Sequence, residues 1–159
     1  MPASREPAVT GAAPASGTLV VEALRSGTAA GLAMIPFAAV FRSRGLRINE
    51  YGRKTLELLF GSDLPARDAL MFVQHMLISC VAAVPLLLLL RRIDALRTRI
   101  AAGLAYGALF YVIVNSLALP AFFDDPTPWS LGIAVILPSL VVHLVFGATV
   151  AWVAPAGRH

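Results

Sequence analysis

Two imidazoles stand where imidazoles are rare. His75 lies in the run ALMFVQHMLISCVAAVPLLLLL and His143 in LPSLVVHLVFG, each surrounded by apolar side chains. An imidazole titrates near neutrality, carries its proton on either nitrogen and ligates metals. A pair of them inside apolar segments can therefore relay protons, hold a haem or metal, or bond across helices as packing glue. Other polar and small residues recur at a spacing of four, which places them on one helical face. His75 pairs with Ser79, and Ser139 with His143 and Gly147. Gly103, Gly107, Tyr111 and Asn115 form a third stripe, and Gly27 with Gly31 a fourth. His75, His143, Tyr111 and Asn115 are the candidate proton or ion relay. Gly27, Gly31, Gly103, Gly107, Ser79, Ser139 and Gly147 are the candidate packing positions, because small residues let helix backbones approach.

The segments that carry these stripes are long and apolar. The chain has 159 residues, 58% hydrophobic and only 14% charged, against about 25% charged in a soluble domain. Its mean hydropathy is +0.76. Disorder is excluded on the same grounds. Four apolar runs, about 18–41, 69–90, 100–123 and 131–154, each reach the roughly 20 residues that a helix needs to cross the hydrocarbon layer. At that depth the backbone must satisfy its own hydrogen bonds, so the runs are read as helices. The expected fold is all-α, an integral membrane four-helix bundle in one domain, 18–155. Residues 1–17, rich in Ala, Pro, Ser and Gly, read as a disordered tail rather than a secretory signal. Each run contains one proline, Pro36, Pro85, Pro120 or Pro138, so bent rods are expected. Glu22 and Arg25, near the start of the first run, are one turn apart and can pair with each other.

Between the first two runs, Ile48, Tyr51, Thr55, Leu58 and Leu59 fall at helical spacing, and the charges fall mostly elsewhere. That predicts a short amphipathic helix on the membrane surface. Gly61 would end it, Ser62 or Asp63 would cap the next helix, and Pro65 suits that helix's first turn. Asp124 and Asp125, flanked by Phe122, Phe123 and Trp129, are candidate mouth acids for the relay. The commoner role for such acids is a pairing with a base on the same face, here Arg53 or Arg67.

The basic residues, 13 against 9 acids, are too few and too scattered for nucleic acid. They suit membrane flanks. The compact cluster Arg91, Arg92, Arg97 and Arg99 places both termini inside by the positive-inside rule; six bases between the first two runs argue the other way. The single cysteine, Cys80, has apolar neighbours and reads as inert. No phosphate-binding glycine loop, GxSxG, HExxH or CxxC occurs, so neither an enzyme nor a metal site is expected. No cofactor is expected either. His75 and His143 lie on parallel helices with an axial offset of roughly 7–10 Å at about 1.5 Å per residue, which suits a relay better than two ligands to one haem iron.

The order GLAYG, SLALP, DDPTPW, LPSLVVHLVFG, with MFVQH before it, resembles the YagU-type inner-membrane proteins of bacteria over residues 69–154. The matching positions are Gly103, Gly107, Pro120, Asp125, Pro128, Trp129, His143 and, more loosely, His75. Pro138-Ser139 stands where that pattern would have an acid nearer the histidine. The resemblance implies a multi-pass bacterial inner-membrane protein with a loose link to acid tolerance and no established reaction. Two readings follow. One is a non-enzymatic bundle held by its interior polar residues, acting through the bilayer, a homo-oligomer or a membrane-protein partner. The other is a small proton- or ion-handling transport protein, with a haem-binding subunit as a third alternative. The Ala-rich, Arg-over-Lys composition points to a bacterial plasma membrane.

Overall fold

The computed structural model of the chain describes residues 16–48 and 51–155. Residues 1–15 of the expected tail lie outside the described residues. The described residues form helices and connecting turns, with no strand among them. The long helices are α1 (Ser16–Ser43), α3 (Arg67–Leu90), α4 (Leu96–Phe123) and α6 (Ile133–Val153), joined by α2 (Tyr51–Phe60) and the single turn α5 (Pro128–Leu131). All four are long and apolar enough to cross a membrane. They alternate in direction, so one end of the bundle carries the start of α1, the α3–α4 link and the end of α6. The opposite end carries α2 and α5.

Helix α6 runs through the middle, packed along both α4 and α1; α3 lies against α1, and the α3–α4 seam is sparse. Glycines set the closest approaches. A Cβ on Gly103 would collide with the Gly147 carbonyl, one on Gly107 with the His143 carbonyl, and one on Gly147 with the Gly103 carbonyl. The α4 and α6 backbones thus touch directly, as small residues in apolar helices allow. The α1–α3 contact is similar: a Cβ on Gly27 would stand 2.5 Å from Cys80 Cα, and one on Gly31 2.9 Å from Ser79 Oγ. Toward the end bearing the α3–α4 link, Ala83, Leu86, Leu87, Leu90, Phe146 and Val150 close the interior into an apolar core. Large apolar side chains point the other way too. Val81 and Trp152 are each 72% exposed and Ile133 is 70% exposed, so the outer surface is as greasy as the interior, beyond what a water-facing surface shows.

Several local expectations change. Glu22 and Arg25 do not pair. Arg91 reaches Glu22 at 3.0 Å, and Arg25 donates to the Val153 carbonyl at 2.8 Å. The free carbonyls at the end of α6 attract cations, and Arg99 answers the same call from inside the bundle. It is 3% exposed and donates to the Ala154 and Pro155 carbonyls at 2.8 and 2.9 Å. Helix α4 starts at Leu96, four residues earlier than the hydropathy run, which brings Arg97 and Arg99 into its first turn. Ser62 and Asp63 do not cap α3. Ala66 precedes it in the left-handed region (φ 56°) with no side-chain cap, and Arg67 folds back to the Ser62 carbonyl instead. Helix α6 begins at Ile133, two residues late, because Gly132 (φ 87°) breaks it from α5. In α2 the buried residue is Leu56, while Leu58 and Leu59 are exposed. The helix turns that pair away from the bundle. Gly61 does follow the last residue of α2, in the left-handed region (φ 85°).

Helix α4 is not regular. Residues Tyr111–Ala118 form a π-helical stretch that leads into Pro120. A proline lacks its N–H and its ring crowds the carbonyl four residues back. A wider turn relieves that crowding, and such widened turns recur at functional sites. Here the stretch contains both Tyr111 and Asn115.

Candidate functional site

His143 is held by two hydrogen bonds. Its Nδ1–H donates to the Ser139 carbonyl one turn back at 2.6 Å, which leaves Nε2 as an acceptor for the Asn115 side-chain amide at 2.8 Å. The ring is thereby fixed in one neutral tautomer, a bond on each side. Phe110 stacks on it at 5.8 Å. The Asn115–His143 bond joins α4 to α6 just beyond the Gly107 contact.

His75 is arranged differently. Its Nε2–H donates to the Gly31 carbonyl of α1 at 3.1 Å. Its Nδ1 has no partner among the described residues, so it keeps a free lone pair.

Both histidines line one cavity of about 380 Å³, with Asn115 and Ser139 beside them and Met34, Ile35 and Val142 as apolar walls. Arg42, in the last turn of α1, lines it as well. Four helices contribute: α1 and α4 through their later halves, α3 and α6 through their earlier halves. The cavity therefore belongs to the end bearing α2 and α5, and the apolar core lies beyond it. Ile48 also borders a second cavity of about 580 Å³, formed with Arg47, Tyr51, Lys54, Asp125 and Leu131. The two cavities meet at that residue, outer and inner.

The expected relay is thus partly assembled. His75, His143 and Asn115 come together, with Ser139. Tyr111 does not join them. Its ring tilts against His143 at 5.8 Å and meets Trp129 edge-on at 6.2 Å, while its buried hydroxyl finds no hydrogen-bond partner among the described residues. It stands behind His143, outside the cavity lining. Asp125 does mark the outer cavity, but its partner is Lys54, whose ammonium reaches both carboxylate oxygens at 2.5 Å. Arg53 and Arg67, the bases expected to pair there, both turn to Glu57, at 3.0 and 3.9 Å. Arg53 is four residues from Glu57 on one helix face, which makes that the shorter reach. Asp124 takes the left-handed turn that ends α4 (φ 52°) and lines neither cavity. Tyr51 stacks on Phe123 at 5.7 Å. Burial, and then the Asp125 carboxylate, push its phenol above the ordinary value near 10.

Of the packing positions, Ser79 is buried against Gly31, and Gly147 against Gly103. Cys80 is a free thiol whose neighbours are Thr28 Oγ1 at 3.7 Å and the Leu24 carbonyl at 3.9 Å. Two residues escaped the sequence reading. Arg42 is one of the six bases that follow the first apolar run and Arg99 one of the α3–α4 cluster, and only the fold shows the first lining a cavity and the second closing a helix end. Among the described residues no group of three or more His, Cys, Asp or Glu side chains converges as a metal site would need. The engagement of both His143 nitrogens leaves neither ready to ligate haem iron. No family model matches the chain, and neither does any curated protein or solved structure.

Proposed function

We propose that the chain is a multi-pass protein of a bacterial plasma membrane that admits a small solute or a proton into a cavity open toward one face. The observation that carries this reading is the shared cavity of His75 and His143. Polar groups inside a spanning bundle are costly and tend to mark a path for solutes or protons. Membrane placement is supported by the four long apolar helices and by the outward-facing Val81, Ile133 and Trp152. The arginines at the α3–α4 link favour the cytoplasm for that end and for both termini, so the cavity opens to the outside.

The two histidines have different work. His143 bonds on both nitrogens, and with Asn115 it ties α4 to α6. That is the packing role expected of interior polar residues. His75 keeps Nδ1 free and can take up a proton there without losing its bond to Gly31, so it is the exchanging group. The role is binding and proton handling rather than catalysis. The resemblance to YagU-type proteins fits this reading, since Gly107 and His143, two of the residues that carry it, meet at the α4–α6 contact.

The test uses purified protein in liposomes. His75→Asn is expected to lower proton flux while leaving thermal stability nearly unchanged. His143→Asn is expected to lower stability. Flux from the parent protein no greater than from empty liposomes would remove the proton-handling role. Recovery of the protein in the supernatant after ultracentrifugation without detergent would remove the membrane reading altogether.

A further inference from the structure

We infer that the inner cavity selects a small organic anion with an apolar body, and that Arg42 is the residue that selects its charge. The inference rests on the cavity reading above and adds the ligand's class. Among the described residues, the only formally charged side chain in the lining is Arg42, and none of them brings a carboxylate to it. The outer cavity contains Asp125, but Lys54 neutralises it, and Arg47 adds a further positive charge there. The described residues of the approach and the chamber therefore carry a net positive charge, which draws anions and turns cations away.

Arg42 is also available. Arg25, Arg67, Arg91 and Arg99 are each engaged with a carbonyl or a carboxylate. Arg42 has no hydrogen-bond or ion-pair partner among the described residues, and it borders a cavity instead. A guanidinium presents a planar fork that matches a carboxylate with two parallel hydrogen bonds.

The remaining walls set the body of the ligand. Met34, Ile35, Ala38, Ala39 and Val142 are apolar. His75 lies eight residues into α3, about 12 Å from that helix's start at 1.5 Å per residue. The cavity's size, about 380 Å³, lies within the range of roughly 300–1,000 Å³ for small-molecule sites. The ligand sits with its head at Arg42 near the mouth and its apolar body inward, against these walls. An aliphatic carboxylate has this chemistry, whether it arrives from the aqueous side or is released from lipid.

The experiment compares octanoate, octanol and octylammonium by calorimetric titration of the protein in nanodiscs, with empty nanodiscs subtracted. Octanoate is expected to bind about tenfold or more tighter than the other two, the factor that one charge-assisted hydrogen-bonded pair supplies. Arg42→Gln is expected to bring octanoate to the octanol level and leave octanol unchanged, and Arg42→Lys to keep part of the preference. Palmitate is added as a further arm. Binding of octanoate alone identifies an aqueous acid as the source, and binding of both identifies a lipid-derived one. Octanol or octylammonium binding as tightly as octanoate, or an Arg42→Gln protein with unchanged octanoate affinity, overturns the anion inference and leaves the cavity reading standing. Binding of none of the probes overturns both. Arg42 is exposed and unpartnered, so the Gln variant should fold, and an unchanged melting temperature verifies it.

Discussion

Replacing Gly107 with Ala should separate the two helices that hold the site. The added methyl would overlap the His143 carbonyl and crowd Leu144 Cα, which is 3.2 Å away. Both are backbone atoms, and neither can rotate aside. Helix α4 must back away from α6, and overpacking of this kind costs about 1–3 kcal/mol. The substitution also gains up to about 1 kcal/mol of helix propensity, so a lone measurement would understate the clash. Gly31→Ala is the control. Its new methyl meets Met76 Cε and Ser79 Oγ, both at 2.9 Å, and these are mobile side-chain ends. The propensity gain is common to both variants and cancels in the difference. Gly107→Ala should therefore be less stable than Gly31→Ala by about 1–3 kcal/mol, read from reversible unfolding in mixed micelles. It should also weaken the 2.8 Å Asn115–His143 bond, visible as a changed His143 imidazole resonance in NMR. Equal stability of the two variants would refute the claim that backbone contact between α4 and α6 sets the bundle.

Three further outcomes are expected. Asn115→Leu removes the donor to His143 Nε2, a part-buried acceptor at the cavity wall, and should cost about 0.5–1.5 kcal/mol, measured in the same unfolding assay; an unchanged value would mean the bond contributes nothing. Arg99→Met strips the donors from the Ala154 and Pro155 carbonyls and should cost about 1.5–3 kcal/mol, with faster amide exchange confined to the last turn of α6 as the local signature. Tyr51 should ionise above pH 10 in a difference-absorbance titration, and Asp125→Asn should bring it part of the way back, because burial remains the larger cause. The folded chain holds that proton more tightly than the unfolded one. The associated stability is therefore intact below about pH 10 and declines as pH rises through the folded value.

Hydropathy made the four long helices legible, because a run of some 20 apolar residues has few other solutions. The spacing of four made the stripes legible too, since Gly103, Gly107 and Gly147 do meet. Partnerships between distant charges were not legible. Glu22 is one turn from Arg25, yet α3 delivers Arg91 to it from 69 residues away. Lys54 reaches Asp125 only because α2 lies across the end of α4. Tyr111 shares its stripe with Asn115, but the wider turn of the π-helical stretch spoils the register that a regular helix would keep. The role of Arg42 was hidden for the same reason: a cavity is a property of four helices at once, and no one of them announces it.

The apolar half of the bundle would resist the passage of an ion. Between the cavity and the end bearing the α3–α4 link the interior is mostly apolar side chains and touching backbone, with Ser26 and Ser79 among its few polar groups. Current through the protein would require α4 to peel from α6 at Gly103, Gly107 and Gly147. The three residues lacking side chains are thus the ones that hold this half of the fold shut.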